Sequence, residues 1–543
     1  MTSVWLIGAS SGIGRALAEQ YARQNIVLYL SSRHIQDSEA DWRNARADVR
    51  LRPFDLQNRD ECAAVTAAIL EENGAPDLVI FAAGMIAYDD CWHMDPQLER
   101  RLFEVNYWGP QAITRQLMEP MMLRQRGHLV YLGSLSGFVA SPLRSTYSAS
   151  KHALQGYVNA LRAEMKAFRV KVTLVCPGFV DTGIDQRSLY GNGELRKTRD
   201  ENRLPGLSAA ECARRMIQGI GAGREQLVIG GRERLMLPLQ RFFPATVRRL
   251  LPGFRPSFAP PPGQLVNLGS GTTEYFIHGH GPQRIVMLNG ITSSFDVWWE
   301  VLRDLDPEKY QVLLYNYYGR GKSETASERA GLALLDAQLD ELLATLDWRP
   351  EQCHWVSYSW GCGWLNRWLL NRDVMPQSLV LVAPAYWNPT LLRSLEGLRH
   401  SRLVHQLFLL AGRWLLYADY RRYCNTGFIA KAFWPRIKGH IARPAFLPMF
   451  VGQLTEDVEN WPRYFKEVSV KMKQHIAVIR GADDGKSTDS DGYDIARNLG
   501  IGKVTDLPGA SHLLPLEASL GLARYIDHFI TDQTGSDSGH HED

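Results

Sequence analysis

The chain lacks any disulfide or zinc framework: its seven cysteines (Cys62, Cys91, Cys176, Cys212, Cys353, Cys362 and Cys424) include no Cys-x-x-Cys pair and no Cys/His cluster at ligand spacing. They read as buried thiols in a reducing compartment, and no metal site is expected. Charge of one sign is also missing, because 61 Lys and Arg against 58 Asp and Glu leave a formal net charge of +3, which excludes a dedicated nucleic-acid binder. Long hydrophobic runs are absent as well. The most apolar stretch outside the expected cores, 403–417, is broken by His405 and Arg413 and falls short of the roughly 20 residues a membrane span needs. An apolar run begins at Ser3 and a glycine-rich segment at Gly8, leaving no room for a cleavable leader. A cytoplasmic location is therefore expected, with peripheral membrane contact left open.

What remains is ordinary globular protein, 45% apolar and 22% charged over 543 residues. That length exceeds what one hydrophobic core sustains, so two domains of roughly 250 residues each are predicted. In the first half, short apolar runs at 3–7, 26–30, 78–82, 128–132 and 170–175 show no strict alternation, as strands buried on both faces of a parallel sheet should, and amphipathic segments separate them. This predicts an α/β, Rossmann-type doubly wound domain over 1–250, with ligands beyond the carboxyl ends of its strands.

At the end of the first run stands Gly8-Ala9-Ser10-Ser11-Gly12-Ile13-Gly14, leading straight into a helical pattern from Arg15. Glycines there let backbone N–H groups and a helix N-terminus approach a pyrophosphate, although a plain strand-to-helix turn reads the same way. Further on, Tyr147-Ser148-Ala149-Ser150-Lys151 puts a phenol and an ammonium on one helix face. The ammonium is expected to stabilise the phenolate and lower its pKa. Ser134 lies thirteen residues before Tyr147, placed to hydrogen-bond the same substrate oxygen.

Taken with Asn106 and Pro177-Gly178 in order, residues 1 to about 250 resemble a short-chain dehydrogenase/reductase. The resemblance implies catalytic roles for Asn106, Ser134, Tyr147 and Lys151. It implies cofactor contacts at Gly8, Ser10, Ser11, Gly12, Ile13, Gly14, Asp55, Leu56, Ala83, Gly84, Tyr147, Lys151, Pro177, Gly178 and Thr182, with assembly expected as a homodimer or tetramer through this domain but left open. Ile7 stands where the family usually has threonine, and Ala82-Ala83-Gly84 lacks the usual asparagine. Charge selects the cofactor. Ser31-Ser32-Arg33 follows the second strand where an acidic group would accept from a ribose hydroxyl, so Arg33, helped by Arg15, suits a 2′-phosphate and NADPH, unless Arg33 is merely solvated.

Residues 232–250 mix large apolar side chains with arginines, reading either as the lining of a lipid-accepting mouth or a membrane-surface segment, or equally as a closing helix of the reductase domain that docks on the second domain. A Pro-rich linker is predicted over 251–264. A second α/β pattern follows over 265–533, with apolar runs at 284–288, 311–315, 354–356, 378–382 and 475–479. Its informative element is Ser357-Tyr358-Ser359-Trp360-Gly361, a strand entering a tight turn around an exposed serine. Asp484 and His512 follow in the order Ser, Asp, His, with Asp483 as the alternative acid. The domain resembles the α/β-hydrolases. The N–H groups of Ile291, after Asn289-Gly290, and of Trp360 are then the expected oxyanion hole.

Ser357 for glycine and Asn289-Gly290 for His-Gly narrow the resemblance, clearest around Asn289, Ser359 and His512, to enzymes of 3-hydroxyacyl thioesters: 3-(3-hydroxyalkanoyloxy)alkanoate synthases and 3-hydroxyacyl-ACP:CoA transacylases or thioesterases; Asn316 also replaces the superfamily's usual aspartate, outside the triad. That implies an acyl-thioester substrate on CoA or acyl carrier protein. An insertion over about 384–473 should cap the serine. Its Trp387, Phe408, Trp414, Tyr417, Phe433 and Trp434, interleaved with many arginines, suit a fatty chain with a phosphate-bearing end, or equally an amphipathic cap with a solvated basic face. The tail, 534–543, is expected to be disordered. The implied activity is NADPH-dependent reduction of a 3-oxoacyl group or related ketone, then serine-dependent acyl transfer or hydrolysis. A general lipid esterase or lactonase, or a non-catalytic acyl-binding module, remains the alternative for the second domain.

Overall fold

The computed structural model describes residues 2–197, 205–251, 262–325, 331–384, 412–414, 416–417, 428–472, 475–484 and 504–537. Internal contacts divide the chain into two compact units, Met1–Ala259 and Pro260–Asp543. Most of the predicted linker lies outside the described residues, as do Trp387, Phe408 and the rest of the first part of the insertion.

The first unit alternates strand and helix: β1 (Ser3–Ile7), α1 (Gly12–Tyr21), β2 (Val27–Ser31), β3 (Asp48–Leu51), α2 (Arg59–Asn73), β4 (Leu78–Phe81), α3 (Pro96–Phe103), α4 (Gly109–Leu123), β5 (Gly127–Leu132), α5 (Ser145–Met165) and β6 (Val170–Pro177). A two-stranded pair, β7 (Val180–Asp181) with β8 (Leu207–Ser208), precedes α6 (Ala209–Gly221), β9 (Gln226–Ile229), α7 (Met236–Phe242) and α8 (Pro244–Leu250). The seven-stranded sheet runs β3-β2-β1-β4-β5-β6-β9, parallel throughout. Successive side chains on β1 point to opposite faces: Val4 and Leu6 join one core with Leu28 and Leu30, while Trp5 and Ile7 join the other with Tyr29 and Tyr131. Helices are started by local chemistry. Asn58 accepts from the N–H groups of Asp60 and Glu61 to cap α2, and Ser208 caps α6 through Glu211. The strand order reverses direction between β1 and β4, which places a crevice beyond their carboxyl ends.

The second unit holds β10 (Gln264–Leu268), β11 (Gly271–His278), β12 (Gln283–Leu288), α9 (Trp299–Leu302), β13 (Tyr310–Tyr315), α10 (Leu332–Thr345), β14 (Cys353–Tyr358), α11 (Trp360–Asn371) and β15 (Ser378–Val382). After the insertion helices α12 (Phe428–Ile441), α13 (Phe446–Thr455) and α14 (Trp461–Met472) come β16 (Ile476–Gly481), β17 (Val504–Leu507), α15 (Leu514–Glu517) and α16 (Ser519–Asp537). The eight-stranded order is β10-β11-β13-β12-β14-β15-β16-β17, with β10, β11 and β13 antiparallel at one edge and the rest parallel. Helix α14 packs tightly on α11: a side chain at Gly363 would meet the Trp461 ring at 2.2 Å. Among the insertion aromatics, Phe433 is buried, Tyr417 half-buried and Trp414 77% exposed, so Trp414 is surface rather than lining.

Two expectations need correction. Helix α16 continues to Asp537, so 534–537 are helical rather than part of a structureless tail. Cys91 is exposed, whereas Cys62, Cys176, Cys212, Cys353 and Cys362 are buried as expected. Among the described residues, no helix is long and apolar enough to cross a membrane.

Candidate active sites

The crevice of the first unit is a cavity of about 1010 Å³. Gly8, Ser10, Ser11, Gly12, Ile13, Gly14, Arg33, Asp55, Leu56, Ala83, Gly84, Pro177, Gly178 and Thr182 all line it, together with Ser134, Tyr147 and Lys151. Bare backbone builds its floor. A Cβ on Gly14 would sit 2.0 Å from Gly8 O, and one on Gly8 would sit 2.4 Å from Ala83 N, so only glycine allows strand and helix to approach this closely. Ser11, at the N-cap of α1, makes no side-chain cap bond, which leaves the first-turn N–H groups to an anion from outside. An uncapped helix end, a Cβ-free cradle and a cavity whose lining includes both Tyr147 and Arg33 fit a nicotinamide dinucleotide.

Not every expected residue faces it. Asn106 lies in a π-helical turn, Glu104–Trp108, between α3 and α4, is 1% exposed and does not line the cavity. Its Oδ1 accepts from Met85 N at 2.9 Å while its Nδ2 donates to Met85 O at 2.9 Å and to Ser150 Oγ at 3.0 Å. It therefore clamps the segment after β4 to α5, one layer behind the chemistry. Arg15 is occupied elsewhere, pairing with Glu19 at 2.8 Å and Asp41 at 2.9 Å and lying over the Trp42 ring. Because α1 turns this side chain away from the cavity, the expected second contact with a 2′-phosphate is withdrawn. Arg33 stands exposed on the cavity rim.

The phenol and the ammonium behave differently from the sequence expectation. Lys151 is buried, and its Nζ donates to Leu132 O at 2.9 Å, 5.9 Å from the centre of the Tyr147 ring. Burial pushes the lysine down to about 8, with the Cys176 thiol opposing weakly. Burial likewise raises Tyr147, and the hydrogen bond with Ser134 and the charge of Arg144 offset this only in part. Desolvation thus outweighs the expected stabilisation of the phenolate, and Tyr147 stays a protonated acid at neutral pH. Glu233 was not anticipated. Its Oε1 accepts from Phe179 N at 3.0 Å and Gly231 N at 2.9 Å, which fastens the Pro177–Gly178 side of the cavity to the segment before α7. Carboxylates of Asp89 and Asp90 also approach His93, with donor atoms within 4.8 Å, but Asp89 already accepts from Gly191 N and Asp90 N.

In the second unit Ser359 sits between β14 and α11 with φ of 55°, a left-handed backbone that holds its hydroxyl out of the turn. Its Oγ lies 2.9 Å from His512 Nε2, and His512 Nδ1 lies 3.0 Å from Asp484 Oδ2. Asp484 and His512 are buried, whereas Asp483 is exposed, so geometry selects Asp484 between the two acids. Tyr358 donates its hydroxyl to His512 O at 2.9 Å, holding the histidine loop against β14. The N–H groups of Ile291 and Trp360 have no backbone acceptor among the described residues. The loop that carries Ile291 is secured by groups sequence reasoning missed. Arg320, fully buried, donates through Nε to Ile291 O at 3.1 Å, and Asn316 Oδ1 accepts from Phe295 N at 2.8 Å. Ser294 Oγ lies 2.8 Å from His440 Nε2 on α12, with Asp296 beside both. An arginine bracketed by Gly319 and Gly321, both at positive φ, was a usable signal; the Ser294–His440 contact, 146 residues apart, offered none.

Comparisons with known proteins agree with this division. A profile of the short chain dehydrogenase family matches residues 2–191, and one of the alpha/beta hydrolase fold matches 283–407. Dehydrogenase/reductase SDR family member 7B of Mus musculus is 32% identical over 233 residues, covering 42% of this chain and 72% of that protein. Dehydrogenase/reductase SDR family member 7 of Homo sapiens is 34% identical over 224 residues, 39% of this chain and 66% of that protein. Among solved structures, a short-chain dehydrogenase from Sphingobium yanoikuyae in complex with NADPH aligns at 21% identity and TM-score 0.39 over 46% of this chain and 94% of that one. A short chain dehydrogenase/reductase from Burkholderia phymatum in complex with NAD aligns at 25% identity and TM-score 0.38 over 46% and 92%. The chain belongs, through its N-terminal domain, to the short-chain dehydrogenase/reductase family, and an α/β-hydrolase domain follows it.

Proposed function

We propose that the N-terminal domain uses NADPH to reduce a 3-oxoacyl group or related ketone, and that the C-terminal domain transfers or hydrolyses the resulting 3-hydroxyacyl group through Ser359. The observation that carries this reading is the pair of constellations: Ser134, Tyr147 and Lys151 lining one cavity with the glycine-rich loop, and Ser359, His512 and Asp484 in hydrogen-bond contact. A reduced nicotinamide held by this cavity would supply the hydride that the carbonyl carbon accepts. Tyr147 gives its phenolic proton to the carbonyl oxygen, Ser134 donates a hydrogen bond to that oxygen, and Lys151 supplies nearby positive charge as the phenol loses its proton. Arg33, exposed in the cavity lining, would hold the 2′-phosphate, which favours NADPH over NADH.

In the second domain His512 takes the proton of Ser359 as its oxygen attacks the thioester carbonyl, while Asp484 orients the imidazole and stabilises its charged form. The N–H groups of Ile291 and Trp360 receive the oxyanion. When the tetrahedral species collapses, the thiol leaves with a proton from His512, and water or a hydroxyl group then accepts the acyl group. Asn289, in place of the commoner histidine, and Ser357, in place of the commoner glycine, support the 3-hydroxyacyl branch.

The test is mass spectrometry of products after the full chain is incubated with NADPH and a panel of 3-oxoacyl-CoA and acyl-carrier-protein thioesters, beside labelling with a fluorophosphonate. NADPH-dependent formation of a 3-hydroxyacyl thioester, followed by free acid or ester, is expected, with labelling that disappears in Ser359→Ala. Labelling unchanged by that substitution, or no NADPH oxidation with any member of the panel, overturns the corresponding half of the reading.

A further inference from the structure

The segment that closes the reductase domain, residues 232–250, presents a surface unlike the scattered apolar residues normal on a protein exterior. It contributes Leu235, Phe242, Phe243 and Leu250, exposed by 64, 69, 60 and 47%, within sixteen residues. Four arginines, Arg234, Arg241, Arg248 and Arg249, are exposed on the same stretch and pair with no carboxylate among the described residues, while Arg232 lines the cavity. Its single acid, Glu233, is turned inward onto the N–H groups of Phe179 and Gly231 and so does not neutralise them. Arg232, Met236 and Leu237 of the same segment, with the adjoining Leu251, form part of the wall of the cavity that holds Tyr147. One short piece of chain is therefore substrate-cavity wall within and a cationic, aromatic face without.

We propose that this face docks the protein on an anionic phospholipid surface. Phe242, Phe243, Leu235 and Leu250 enter the boundary between headgroups and acyl chains, and the arginines engage lipid phosphates around them. Charge decides between occupants. A second copy would bring four arginines against four, whereas an anionic bilayer satisfies the charges and the apolar side chains at once. Docking by this segment puts the cavity wall against the lipid, a short path for an acyl chain into the site. The inference stands on the surface alone and holds whatever ketone the reductase accepts.

The experiment is co-sedimentation of the full chain with vesicles of phosphatidylcholine alone and of phosphatidylcholine with about a quarter phosphatidylglycerol. Preferential pelleting with the anionic vesicles is expected, weakening as salt screens the arginines. Arg248→Ala with Arg249→Ala should lower partitioning about thirty-fold, from roughly fivefold per arginine at an anionic surface. Phe242→Ser with Phe243→Ser should lower it at least about tenfold at every salt concentration. NADPH binding, measured by fluorescence, should be unchanged in both variants, which separates docking from folding. Equal pelleting with neutral vesicles, or undiminished pelleting of both double variants, overturns the proposal. So does a change in the sedimentation coefficient of lipid-free protein in either variant, because a protein copy would then be the occupant.

Discussion

Lys151 carries a charge that the fold pays a desolvation cost to keep. Its folded pKa, about 8, lies below the ordinary 10.5, so between those values the folded state binds fewer protons than the unfolded chain and stability rises with pH. The unfolding free energy of the wild type relative to Lys151→Met should therefore increase across that window, by up to about 3 kcal/mol at roughly 1.4 kcal/mol per pKa unit, as denaturant titrations at pH 7 and pH 10 would show. On the proposed mechanism the same ionisation should govern activity. Because burial keeps Tyr147 protonated beyond neutral pH, kcat/KM for NADPH should fall on the alkaline side with a midpoint near 8, set by the lysine; a midpoint above about 10 would assign the limb to tyrosine instead. Tyr147→Phe should lower NADPH oxidation by about 10²–10⁴-fold while cofactor binding stays measurable. Arg33→Ala should weaken NADPH by about 1.5–3 kcal/mol and barely affect NADH, whereas equal losses would remove Arg33 as the selector.

At the scale of elements, both sites depend on loops held by residues that do no chemistry. Asn106 joins the segment after β4 to α5, and Glu233 joins the strand end at Gly178 to the closing segment. In the second domain the loop with Ile291 is held by Arg320 from the turn after β13 and by His440 from α12. Asp296 belongs to this latch. Burial would raise its carboxyl, but His440, Arg436 and Ser294 outweigh burial and hold it below the usual carboxylate value. His440→Ala should therefore leave a buried carboxylate underpaired and cost about 1–3 kcal/mol of stability. Hydrolysis of a chromogenic acyl ester should drop while NADPH-dependent reduction does not change. Equal loss of both activities would mean that the substitution disturbs folding in general and not the loop.

For the whole molecule, the two constellations share no residue, and each is assembled by its own sheet. On the proposed function, a 3-hydroxyacyl thioester formed at Tyr147 would be an acyl donor for Ser359, and joining two sites on one chain raises the effective concentration of product at the second when the carrier reaches both. Ser359→Ala should accordingly leave reduction intact and make 3-hydroxyacyl thioester accumulate, read by mass spectrometry after a pulse of 3-oxoacyl thioester and NADPH. If the wild type instead releases unsubstituted acyl groups as readily as 3-hydroxyacyl groups, reduction is not the step that prepares the substrate.

The amino-acid sequence by itself determined features whose physics is local. Continuous apolar runs marked β1, β4, β12 and β14 because strands buried on both faces need no alternation. Gly8 to Gly14, the four-residue spacing of Tyr147 and Lys151, and small residues around Ser359 were legible because each is a constraint within one turn of chain. The antiparallel edge β10–β11 was not, since its half-buried residues carry no continuous run. Only the tertiary structure decided which neighbour each side chain meets: Asp484 rather than Asp483 on His512, Arg15 drawn to Asp41 while Arg33 stays on the cavity rim, Asn106 behind the cavity, and Arg320 on Ile291. The direction of the Tyr147 and Lys151 shifts also waited on the fold. Spacing along a helix brings a phenol and an ammonium onto one face, but desolvation depends on everything packed around them, and here it is the larger effect.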